Sequence, residues 1–101
     1  MIKFGIKKST NKNKKYDALF SDDEGNQKKI SFGAIRPNGI PYEDFTTHGD
    51  VERKNRYISR HKKNEDWTTP FNAGSLSRFL LWNKPSLKLS VQDFKKRFNL
   101  I

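Results

Sequence analysis

Residues Tyr16–Phe32, YDALFSDDEGNQKKISF, contain two runs of alternating apolar residues separated by a polar turn. Apolar side chains occupy every second position in Tyr16–Phe20 and again in Ile30–Phe32, which is the period of a half-buried strand. The segment between them, Ser21–Gln27, is rich in the Asp, Gly and Asn residues that favour turns. The stretch therefore predicts a β-hairpin.

A further strand is predicted before this hairpin. Apolar residues alternate in Met1–Ile6, MIKFGI, and the polar, basic connector Ser9–Lys15 follows, which we expect to be flexible. Residues 1–35 are thus predicted to form an antiparallel hairpin or meander. Residues 36–49, RPNGIPYEDFTTHG, combine Pro and Gly with apolar residues. This composition predicts an ordered loop that buries its apolar side chains under its own backbone.

Residues 50–101 predict three short helices, the first of which begins at an Asp50 cap and carries two stripes. One stripe is mainly apolar, and the other is cationic with spacings of three, four and three. The first consists of Val51, Tyr57, Ile58 and His61, and the second of Arg53, Arg56, Arg60 and Lys63.

The second helix is predicted over Ala73–Trp82, with Asn72 or Ser75 as its cap. The third is predicted to begin at Ser90, because Ser90–Asp93 resembles a capping box, and to expose Lys95, Lys96 and Arg97. The whole chain is predicted to be one small basic α+β domain, an amino-terminal hairpin or meander followed by three short helices. We expect Trp82, Phe79 and Phe94 to be buried together.

Charge is the strongest functional signal. The 101 residues include 21 Lys and Arg against 11 Asp and Glu, a formal net charge of +10, which favours an acidic partner. A solvated surface without a partner is the simpler alternative. The chain has no cysteine, so disulfides and thiolate-bound zinc are excluded. No apolar run is long enough to predict a transmembrane helix or a signal peptide, and we expect an intracellular, non-secreted protein.

The sequence offers little support for catalysis, cofactor binding or a small-molecule substrate. It has no Gly-rich phosphate loop, and only two histidines are available as bases. A metal site built from His48, Asp44, Asp50 and His61 matches no usual ligand spacing, so no metal is predicted and a metal-dependent nuclease is the remote alternative. His61 is expected to bond loop backbone. Trp67 is expected to clamp the exit of the first helix through a hydrogen bond to backbone.

Several short motifs are spread along the chain. They are FGA at Phe32–Ala34, YEDFTTH at Tyr42–His48 with Asp50, Tyr57 with Arg60-His61, EDW at Glu65–Trp67, AGSLSR at Ala73–Arg78 and LWNK at Leu81–Lys84. Together these motifs resemble a group of small basic proteins encoded by nucleocytoplasmic large DNA viruses, such as the algal and amoebal giant viruses. The resemblance extends over roughly residues 14–99 and implies a viral setting without implying an activity.

Two functions follow as expectations. The first is non-enzymatic, sequence-independent nucleic-acid binding through phosphate contacts, by the cationic stripe and a second patch of Lys95, Lys96 and Arg97. The alternative is a structural protein of the virus particle, a minor capsid or cement component that contacts acidic capsid proteins or packaged DNA. Either function places the protein in the virion or at an intracellular site of virus assembly.

Overall fold

The computed structural model describes residues 1–101 and shows the predicted α+β architecture, in which a three-stranded antiparallel sheet precedes the helices. The strands lie side by side in the order β1-β2-β3, with bounds β1 (Lys3–Lys8), β2 (Lys14–Ser21) and β3 (Gln27–Ala34). The helices are α1 (Phe45–His48), α2 (Val51–His61), α3 (Ala73–Leu76) and α4 (Leu87–Arg97). A π-helical turn, Ser77–Leu81, continues α3 directly.

The predicted hairpin is formed by β2 and β3. Its turn is held by Asp22, whose carboxylate accepts hydrogen bonds from the backbone N–H groups of Glu24 and Asn26, both at 2.9 Å. Gly25 has a φ of 88°, a left-handed conformation that glycine adopts without a steric penalty. The composition of this turn therefore accounts for its geometry, and the prediction is confirmed.

The core lies between one face of the sheet and the carboxy-terminal helices. Phenylalanines from all three strands pack on apolar residues of α3, the π-helical turn and α4, which explains how helices too short to be stable alone are retained. The largest buried residues of this core are Phe4, Phe20, Phe32, Leu76, Phe79, Leu80, Leu81, Phe94 and Leu100.

Trp82 differs from the prediction. Phe79 and Phe94 are buried and both pack on Phe98, with ring centroids 5.6 and 5.1 Å apart. Trp82 is half-buried at the edge of the core and stacks instead on Tyr57. The π-helical turn, closed by a 3.1 Å hydrogen bond from Trp82 N–H to Ser77 O, directs this indole toward α2.

Two predicted boundaries are wrong. The segment 36–49 contains α1, which Asp44 caps in a reciprocal capping box with Thr47. The last helix begins at Leu87 and is capped by Ser86, whereas Ser90 is buried inside it and its Oγ accepts the N–H of Lys84 at 3.1 Å. The first error overlooked a capped helix, and the second chose the wrong one of two nearby serines as the cap.

The first predicted helix corresponds to α2. Asp50 caps it as expected, accepting the N–H groups of Glu52 and Arg53 at 3.0 and 3.2 Å. Tyr57 is buried, but Val51 is exposed, because the apolar stripe meets the rest of the protein only from the second turn onward. None of the helices has the length and apolar character that a membrane crossing requires.

Candidate functional site

A cleft of about 620 Å³ lies between the sheet and α2. The adjoining ends of β2 and β3 line one side and α2 lines the opposite side, while α3, the π-helical turn and the connecting loops contribute the remainder. Five cationic and three acidic residues line it, so its charge is positive. The cationic residues are Lys14, Lys15, Arg53, Arg56 and Arg60, and the acidic residues are Glu43, Asp44 and Glu65.

The arginines of α2 face this cleft. Their spacing of three and four residues places them on one side of the helix, as the sequence predicted. Arg53 Nη1 donates to Glu43 Oε2 at 2.9 Å, and this hydrogen bond lowers the pKa of the Glu43 carboxyl. Arg56 and Arg60 are exposed and form no ion pair. Two guanidinium groups therefore remain free for an anionic ligand.

The sheet side is organised by Lys15. Its ammonium donates to Asp44 Oδ2 at 2.7 Å and to the backbone carbonyl of Tyr42, and both side chains of the ion pair are nearly buried. The lysine reaches this position by passing over Gly33, where an added Cβ would lie 2.9 Å from Lys15 Cβ. The pair thus fastens the loop that carries Tyr42 to the strands.

A stack of aromatic rings supports the α2 side. The ring of Tyr57 lies between Trp82, with centroids 4.5 Å apart and planes 5° from parallel, and His61, at 4.2 Å and 25°. Burial raises the pKa of the Tyr57 hydroxyl well above its usual value. Because both faces of this ring are covered, Tyr57 is a structural element of the cleft and is not a free stacking surface.

Glu65 closes the end of the cleft beyond α2. His61 Nδ1 donates to its Oε1 at 3.0 Å and Trp67 Nε1 donates to its Oε2 at 2.9 Å, since a carboxylate only accepts. The predicted clamp by Trp67 is therefore present. The predicted backbone partners of Trp67 and His61 are wrong, because both side chains bond to the Glu65 carboxylate. Gly74 leaves room for this carboxylate, because a Cβ there would approach it to 3.1 Å.

The remaining predicted binding residues lie elsewhere. Lys63 follows the end of α2 and does not line the cleft, so the stripe contains three residues and not four. The second predicted patch is on α4, outside the cleft, where Lys95 is half-buried and Lys96 is exposed. Arg97 bonds to Asp93 at 3.4 Å and lies over the ring of Phe79, so it is partly committed to structure.

No three His, Asp or Glu side chains are grouped so that they could hold a metal ion. His48 Nδ1 accepts the N–H of Asp50 at 2.9 Å, while the Asp44 carboxylate is occupied by Lys15 and the start of α1. The residues considered for a metal site therefore have other partners.

Sequence reasoning missed the contribution of Lys14 and Lys15. They are the first two residues of β2 and end the basic connector that we expected to be flexible, yet the turn before them is ordered by hydrogen bonds. The N–H of Lys14 donates to Asn11 O, and that of Ser9 donates to Lys15 O, both at 3.0 Å. The sequence signal was present in the adjacent lysines, but their position beside α2 depends on tertiary packing.

Comparison with known proteins gives one result. The model of the "Family of unknown function (DUF5754)" matches residues 4–61, more than half of the chain, and this range includes every cation of the cleft. No curated protein and no solved structure matches the chain.

Proposed function

This chain belongs to the Family of unknown function (DUF5754), and we propose that it binds nucleic acid through phosphate contacts, without sequence preference and without catalysing a reaction. The observation that carries the proposal is the pair of exposed, unpaired arginines, Arg56 and Arg60, on the cleft side of α2. Lys14, also exposed and unpaired, lines the same cleft from the sheet.

Phosphate groups suit this arrangement better than other anions do. Guanidinium groups present several N–H donors in a fixed plane, which matches the oxygens of a phosphate. Contacts of this kind position a nucleic acid but read no bases, so they are independent of sequence. A net charge of +10 additionally attracts a polyanion over distance.

The test is a titration of labelled oligonucleotides at several salt concentrations. Three free cations predict that log K falls with log salt with a slope of about −3 on duplex DNA and about −2 on single strands. Replacing both Arg56→Gln and Arg60→Gln should reduce the slope by about 1.5 units, because two phosphate contacts are lost. Glutamine keeps the helix propensity of α2 nearly unchanged.

The matched control is the double replacement Lys7→Gln and Lys88→Gln. It removes the same charge from exposed, unpaired positions, one on a strand and one on a helix, and neither lines the cleft. A pair from the basic connector would be a poor control, since Lys14 itself lines the cleft. Equal losses in both double variants would show that net charge alone causes binding, and would contradict the proposal.

A structural role in a virus particle stays a prediction, as does the viral origin on which it depends. Absence of salt-dependent binding by the isolated protein, together with its presence at fixed stoichiometry in purified particles, would favour that role over the one proposed.

A further inference from the structure

A second concavity, of about 550 Å³, adjoins the cleft. The two share Lys14, Lys15, Tyr42, Glu43 and Asp44 in their linings, so they adjoin at the loop carrying Tyr42. The second part is lined by the turn between β1 and β2 and by residues 35–47, which include the start of α1. We call the combined concavity the basic groove.

Free cations occur along the whole length of the basic groove. At the end formed by the β1–β2 turn, Lys8 and Lys12 are exposed and make no ion pair, and Lys14 lies at the junction. The acidic residues at the junction are already neutralised, because Asp44 pairs with Lys15 and Glu43 pairs with Arg53. The five unpaired cations of the groove are Lys8, Lys12, Lys14, Arg56 and Arg60.

An aromatic ring is exposed at the junction. Tyr42 retains 46% of its surface and lines both parts of the groove, and the guanidinium of Arg36 lies 4.8 Å from its ring centroid. Its backbone position is fixed, because its N–H donates to Ala34 O at 3.3 Å and its carbonyl accepts from the Lys15 ammonium. The Tyr42 hydroxyl makes no hydrogen bond within the protein, so the fold does not require the hydroxyl.

From this combination we propose that the ligand of the basic groove is single-stranded nucleic acid, with its phosphates along the five cations and a base stacked on Tyr42. This inference rests on the function proposed above and specifies its substrate class. A charged groove with an exposed aromatic platform is how proteins bind single strands without reading sequence. A duplex stacks its bases on one another, offers none to Tyr42, and presents a convex surface to a concave site.

The experiment measures binding of a fluorescent oligothymidylate of about 15 nucleotides, of a duplex of the same length, and of a polyglutamate peptide, to the full chain. We expect the single strand to bind tightest, with a slope against log salt of about −3.5, because five contacts and not three are involved. Lys8→Gln with Lys12→Gln should lower this slope about as much as the Arg56 and Arg60 pair does. The Lys7 and Lys88 pair should leave it unchanged, since Lys7 points to the opposite side of its strand from Lys8.

Tyr42 is tested by two replacements whose folding is checked by thermal unfolding. Tyr42→Leu should weaken single-strand binding by about 5- to 150-fold, the range for loss of one base–aromatic stack. Tyr42→Phe retains the ring and should retain the affinity. Duplex binding should be equal in all three proteins.

The outcomes separate the two proposals. If the duplex binds as tightly as the single strand, or if Tyr42→Leu has no effect or weakens both nucleic acids equally, the single-strand inference is overturned while phosphate binding stands. Tighter binding of polyglutamate overturns the inference in favour of an acidic protein. Salt-independent binding, or none, removes the proposed function and the inference together.

Discussion

The ion pair between Lys15 and Asp44 provides a quantitative test of how the cleft is built. Its side chains are only 10% and 4% exposed, whereas those of the Arg53–Glu43 pair are 40% and 59% exposed. Removing one partner of a buried pair leaves an uncompensated charge and costs about 3–5 kcal/mol, while an exposed pair contributes about 0–1 kcal/mol. The same chain therefore contains a buried pair and its exposed control.

We predict that Lys15→Met lowers the free energy of unfolding by about 3 kcal/mol, near the lower end of the range for buried pairs. Methionine keeps most of the aliphatic chain that passes over Gly33 but removes the ammonium. Asp44 retains the N–H of Thr46 at 2.9 Å and the Thr46 hydroxyl, which offset part of the loss. For a domain of this size the melting temperature should fall by about 12–24 °C.

The measurement is urea unfolding at neutral pH, followed by tryptophan fluorescence. Arg53→Gln should cost less than about 1 kcal/mol, and the double variant Lys15→Met with Asp44→Asn should be more stable than Lys15→Met alone, because asparagine leaves no buried charge and still caps α1. A loss in Lys15→Met no greater than in Arg53→Gln would refute the reasoning, since the pair would then behave as a solvated one.

Two further predictions concern the sheet. Gly33→Ala should destabilise the protein by about 1–3 kcal/mol, because Gly33 has a φ of 83° and an added Cβ would meet the side chain of Lys15. Gly5→Ala is the control, since the space around Gly5 is open. Its free energy of unfolding in denaturant should lie within about 0.5 kcal/mol of that of the parent protein. Hydrogen bonds from the hydroxyl groups of Ser31 and Ser9 lower the pKa of Asp17 in the folded state. The stability that these bonds provide is therefore present above a pH of about 4. It is lost as the pH falls through the pKa of Asp17 in the folded protein. Ser31→Ala should therefore reduce the difference in melting temperature between pH 6 and pH 3, and an unchanged difference would contradict that assignment.

Local signals in the sequence predicted the sheet and α2 because their causes are local. Alternation of apolar residues and the Asp-Gly-Asn composition of the turn specify the hairpin without reference to the rest of the chain. The cap at Asp50 and the three-four spacing of the arginines likewise depend only on neighbours along one helix. These features are present in the structure where the sequence placed them.

The composition of the cleft depends instead on contacts between distant residues. Lys15 and Asp44 are 29 residues apart, and no periodicity links a lysine in a basic connector to the cap of a helix in a later loop. The end of α2 was likewise not predictable from local spacing. The helical spacing of the cationic residues continues in the sequence to Lys63, whereas the helix ends at His61. The cap of α4 also depended on tertiary packing. Ser86 and Ser90 are both possible caps in the sequence, and Ser86 caps the helix because Ser90 is packed in the interior.

The ring stack around Tyr57 has an entropic consequence for binding. With its ring held between His61 and Trp82, Tyr57 fixes the rotation of α2 about its own axis, and Arg56 is its immediate neighbour. In the proposed binding, a ligand in the cleft would therefore order the free cationic side chains, at about 0.5–1.5 kcal/mol for each one immobilised, without ordering the backbone of α2. The backbone of the cleft is thus preorganised for the proposed ligand, and the remaining entropic cost is that of the free side chains.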